Sequence, residues 1–173
     1  MARMFLVVAA LVVSSITPAL AGIADTPLPT VYGASAKLVY SVPGVIRFGN
    51  LETVFTCTSV ETANTVRIGV QLFDRLGASM NDLSAGDGVV FVAAANPEIP
   101  PGMTVTITTG PVNGVAYDQY IVGGGQVRNG SARILSTSTR IICTAMVIDK
   151  VSSPPASMVY LPVISKTKQK ASN

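Results

Sequence analysis

Between Thr65 and Phe73 the chain reads TVRIGVQLF, and apolar positions alternate with polar or small ones. Val66, Ile68, Val70 and Leu72 fall on one face; Arg67, Gly69 and Gln71 fall on the other. A period of two predicts an antiparallel strand with one face buried. Met103–Thr109 repeats the pattern, with Met103, Val105 and Ile107 set against Thr104, Thr106 and Thr108. Thr53–Ser59 places Cys57 on the same face as Phe55. Arg140–Ile148 places Cys143 with Ile141, Ala145 and Val147. Weaker patterns predict strands at Ala36–Ser41, Val45–Phe48, Val89–Ala94, Val115–Val122, Ser131–Leu135 and Met158–Ile164.

Turn signals separate these segments. They are Pro43-Gly44, Asp74–Gly77, Gly86-Asp87-Gly88, Asn96-Pro97, Pro100-Pro101-Gly102, Asn113-Gly114, Gly123–Gly125, Asn129-Gly130 and Pro154-Pro155. Short strands punctuated this closely suggest a sandwich or barrel. Composition agrees. Val, Ile and Thr far outnumber Leu, Lys and Glu, and β-branched side chains favour the pleated surface over a helix. The expected fold is therefore all-β: an antiparallel β-sandwich, immunoglobulin-like or jelly-roll-like, with one inter-strand disulfide. Residues 36–165 form its single domain. Residues 22–35, with Pro27 and Pro29, read as an extended lead-in. Residues 166–173 read as a polar, disordered tail.

Residues 1–21 carry a different signal. Arg3 precedes an apolar run from Met4 to Val13, Pro18 breaks it, and Ala19-Leu20-Ala21 offers a small-x-small cleavage site. That is the pattern of a Sec-type signal peptide cut after Ala21. The run is too short to span a bilayer, and no transmembrane segment is expected in the mature chain. The expected location is periplasmic or extracellular, where a disulfide is stable. Cys57 and Cys143 are the only cysteines. One on an early strand and one on a late strand, each with apolar neighbours, resembles the immunoglobulin-like architecture. A bridge of that kind would pin the two sheets together.

Charge and missing side chains narrow the chemistry. Twelve basic and nine acidic residues leave a net charge of +3. Lys166, Lys168 and Lys170 supply much of it from the tail, so there is no clustered basic face and no nucleic-acid partner is expected. The chain has no histidine. This excludes Ser-His-Asp and Cys-His nucleophile systems, His-ligated metals and imidazole acid–base catalysis. Gly123-Gly124-Gly125 leads into no helix and is no phosphate loop. No cofactor is expected.

Two groups of residues remain as candidate sites. Asp74, Asn81, Asp82 and Asp87 could offer oxygens to a hard cation such as calcium, although the same residues serve ordinary turns. Tyr117-Asp118-Gln119-Tyr120 could stack on and hydrogen-bond a ligand such as a sugar. Its two tyrosines, three positions apart, are expected on opposite faces of a strand, one of them in the core. The expected function is a non-enzymatic exported protein with a binding or structural role, its partner a protein, a glycan or another copy of itself. The alternatives are a carbohydrate-binding module and a carboxylate- or cation-dependent hydrolase.

Overall fold

The computed structural model describes residues 23–83, 90–91, 98–122 and 125–166. The expected leader, the candidate metal ligand Asp87, the Gly86–Gly88 and Asn96-Pro97 turn signals, Gly123-Gly124 and the tail beyond Lys166 lie outside these residues. Among the described residues the named elements are all strands. They are β1 Lys37–Arg47, β2 Leu51–Ser59, β3 Val66–Phe73, β4 Val90–Phe91, β5 Glu98–Ile99, β6 Thr104–Thr108, β7 Gln119–Tyr120, β8 Val127–Ser136, β9 Ile141–Asp149, β10 Met158–Leu161 and β11 Ile164–Ser165. One sheet has the order β11-β1-β8-β3-β5 and the other β10-β9-β2-β6-β7-β4. Neighbours run antiparallel except β6 and β7, which are parallel. No helix of the described residues is long and apolar enough to cross a membrane.

The alternating faces set out above meet between the sheets. Val42 and Val45 of β1, Val70 and Leu72 of β3 and Ile134 of β8 pack against Phe55 of β2, Ile107 of β6 and Ala145 of β9. Each fully buried aliphatic side chain contributes about 1.5–3 kcal/mol. This shared core, more than any one covalent link, holds the sandwich together. Cys57 and Cys143 are disulfide-bonded. The bridge does not pin one sheet to the other, however. Cys57 and Cys143 sit directly opposite each other on β2 and β9, neighbours in the same sheet, with Cα atoms 4.2 Å apart.

Local turn chemistry is overruled at several points. Pro43-Gly44 does not end a strand: β1 runs through it, and the register with β8 slips between Pro43 and Val45. Gly44 has φ 81° there, a conformation glycine adopts at a bulge without steric cost. The expected Ala36–Ser41 and Val45–Phe48 strands are thus one. Asn129-Gly130 is no hairpin turn either, but lies inside β8 with Gly130 opposite Val45. A Cβ on Gly130 would run into the Phe73 carbonyl oxygen. Gly130→Ala is expected to cost at least about 2 kcal/mol, as a rigid overpacked contact does. A urea midpoint unchanged from the parent would show that this approach is not tight.

The expected Val115–Val122 strand contracts to Gln119–Tyr120, and Met158–Ile164 divides into β10 and β11 at the borders of different sheets. Both faces of β3 are buried, not one. Val31, Leu83 and Leu135 form a second cluster outside the main core, and a Cβ on Gly69 would meet Leu83 and Val31 at 2.8 and 2.9 Å. The lead-in and the segment after β3 therefore cover what periodicity assigns to solvent.

Candidate functional site

The acidic segment after β3 is built as a turn and a ladder extension. The Asp74 carboxylate accepts the Leu76 and Ala78 amides at 2.8 and 2.9 Å, and the Gly77 amide returns to the Asp74 carbonyl at 3.1 Å. Asn81 is buried. Its Oδ1 accepts the Leu72 amide at 2.7 Å and its Nδ2 donates to the Val70 carbonyl at 2.9 Å. It continues the ladder along the side of β3 that faces away from β8. Asp82 is exposed and lines a cleft of about 610 Å³, between Thr26–Pro29 and Ser79–Asp82, floored by Gln71. Among the described residues, no three His, Cys, Asp or Glu side chains gather where a metal could bind.

Beneath that segment lies a feature the pattern does not announce. Arg133 of β8 is 1% exposed. Its Nη1 donates to the carbonyls of Thr26 at 2.7 Å and Ile23 at 3.3 Å; its Nη2 donates to the Pro27 carbonyl at 3.2 Å and to Gln71 Oε1. The guanidinium also lies 5.0 Å from the centre of the Phe73 ring, within cation–π range. No carboxylate faces it in these contacts, and Nε has no hydrogen-bond partner among the described residues. Burial lowers the pKa of the group below the ordinary arginine value. The lead-in is thus strapped to the outside of β3 and β8 by a cation that meets neutral oxygens in these contacts.

In the tyrosine segment the two rings do not face opposite ways. They touch edge to face, with centroids 6.2 Å apart and planes at 83°. Tyr117 precedes β7 instead of alternating within it, so the period-two argument does not apply to it. Its ring packs on Val54, Val112 and Ile148 outside the six-stranded sheet, and neither tyrosine belongs to the main core. Asp118 is exposed, and its Oδ2 accepts the Thr106 amide at 2.7 Å. Gln119 is buried.

Four further carboxylates, of Glu52, Glu61, Glu98 and Asp149, are also engaged. Glu52, 3% exposed, accepts Thr109 Oγ1 at 2.6 Å and Lys150 Nζ at 3.0 Å. Glu98 pairs with Arg67 at 2.8 Å, and Glu61 accepts the Ser138 hydroxyl. The Ser152 hydroxyl and the Val151 amide hold the Asp149 carboxyl below the ordinary aspartate range.

The unusual surface is apolar. Met158, Val159 and Tyr160 of β10 are 58%, 62% and 73% exposed, and β10 is a border strand of its sheet. No protein-family profile, curated protein or solved structure matches the chain.

Two signals in the sequence could have pointed to these features. Arg133 is a lone charge inside Ser131–Leu135, and Ser157–Val163 holds no charge. Neither signal says what lies opposite.

Proposed function

We propose that the protein is an exported, non-enzymatic β-sandwich with a binding or structural role in the periplasm, cell envelope or extracellular space. The observation that carries this reading is the engagement of six of its nine acids. Glu52, Glu61, Asp74, Glu98, Asp118 and Asp149 each accept hydrogen bonds from the scaffold itself. A general acid or base is set against a substrate proton; these carboxylates bond to turns, edges and strand ends of their own scaffold. Export is supported by the pattern of residues 1–21 and by the oxidised Cys57–Cys143 pair, which suits an oxidising compartment.

The test is made on protein secreted from an expression host. Its mass should correspond to a chain beginning at Gly22, and thermal melts in calcium and in chelator should coincide. A ligand at 100 times its dissociation constant would add about 2.7 kcal/mol and raise the midpoint visibly. Recovery of the chain from the cytoplasm with its leader intact would sink the export reading. A calcium-dependent rise abolished by Asp82→Ala would put cation binding in its place.

A further inference from the structure

We propose that β10 is a self-association edge. It pairs antiparallel with β10 of a second copy, about a two-fold axis at Val159, and joins two six-stranded sheets into one. This deepens the structural role proposed above and rests on that reading only for its biological purpose.

The phase of the ladder fixes which backbone groups are available. The Asp149 amide donates to the Ser157 carbonyl at 3.1 Å, and the register continues Met158 opposite Ile148, Val159 opposite Val147 and Tyr160 opposite Met146. Hydrogen-bonded pairs recur at every second residue of an antiparallel ladder. Val159 and Leu161 therefore bond to β9, and the amides and carbonyls of Met158 and Tyr160 point away from it. The other side of β9 obeys the same alternation. The amide of Lys150 donates to Asn50, so even-numbered residues there face β2. Cys143 then stands opposite Cys57 as a non-hydrogen-bonded pair, in keeping with their 4.2 Å Cα separation.

Outward backbone groups on two residues, one position apart from Val159, are complementary to themselves. Turning the strand over sets Met158 opposite the partner's Tyr160, and Tyr160 opposite the partner's Met158. Each is a hydrogen-bonded pair exchanging two bonds. Val159 then faces the partner's Val159. Met158 and Tyr160 share a face, so sulfur meets ring across the axis, a favourable contact. Slipping the register one way sets Pro162, which has no N–H, opposite Met158. Slipping it the other way sets Tyr160 opposite Ala156, outside the strand.

Border strands that must stay single are commonly guarded by lysine or another charge. Ser157–Val163 carries none. An isologous two-fold contact needs no second protein and closes after two copies.

Few side chains meet, so the dimer should be weak, in the high-micromolar range. Light scattering and sedimentation velocity on the purified disulfide-bonded chain should show a concentration-dependent dimer. Tyr160→Pro removes an outward N–H without touching the β9 ladder, and Tyr160→Lys adds a guarding charge. Each should weaken the dimer by about tenfold or more. Val159→Cys should form a linked dimer under mild oxidation, because non-hydrogen-bonded pairs sit at Cα distances that a disulfide spans. Leu76→Cys, on a turn and 63% exposed, should not. A chain still monomeric at about 1 mM would overturn the proposal. So would a dimer that persists unchanged in both Tyr160 variants, or equal cross-linking of the two cysteine variants. Purified protein is used throughout, so failure here leaves the export test untouched.

Discussion

Replacing Arg133 by methionine is expected to lower the unfolding free energy by about 2–4 kcal/mol and to release the segment before Val31. Methionine keeps much of the apolar volume but donates nothing. The carbonyls of Ile23, Thr26 and Pro27 and the Gln71 amide oxygen then lose the donor that faces them. Arg133→Lys should restore little, because one ammonium cannot reach carbonyls that the planar fork serves from two nitrogens. The decisive comparison is a cycle. Deleting residues 22–29 removes the accepting carbonyls, opens the guanidinium to water and should itself destabilise. In that background Arg133→Met should be nearly neutral, since the cation no longer has a strap to hold. Chemical denaturation of the four proteins measures the coupling. Additive losses would show that the strap and the guanidinium do not depend on each other.

Cys143→Ala is expected to cost about 2–5 kcal/mol. The bridge closes a loop of 86 residues, so its removal frees a long segment of the unfolded chain. Both sulfurs also lie in the main core among Phe55, Val105 and Ala145, and the remaining Cys57 thiol would be buried there without its partner. Thiol titration of the parent, denatured but unreduced, should find essentially no free sulfhydryl. Two thiols per chain would refute the bridge, and a midpoint unchanged by Cys143→Ala would confine its role to something other than stability.

The acids show how far the candidate sites could be read from their letters. Asp74 followed by Gly77 is a turn by composition, and it is one, because a short carboxylate reaches amides two and four residues on. By composition Asn81 belongs to the same loop. Its bonds to Val70 and Leu72 place it in the ladder instead, which no local rule supplies. The tyrosine pair failed for a related reason. Three residues apart means opposite faces only within a strand, and the strand begins after Tyr117.

Alternation determined much of the rest by itself. A pleated backbone sends successive side chains to opposite faces, so Val66–Leu72 and Val105–Ile107 could bury their apolar sides only in a β-rich core. A two-cysteine chain with both on such inward faces could form just one bridge. Tertiary structure decided which strands are neighbours, and hence that this bridge lies within one sheet. It also decided that Pro43-Gly44 and Asn129-Gly130 stay inside strands, because the ladder between β1 and β8 outweighs the local preference to turn. And it set an arginine under the lead-in and an uncharged strand at the border of a sheet. Burial and pairing depend on segments that meet from distant parts of the chain: Arg133 and Thr26 are 107 residues apart, a distance over which periodicity carries no information.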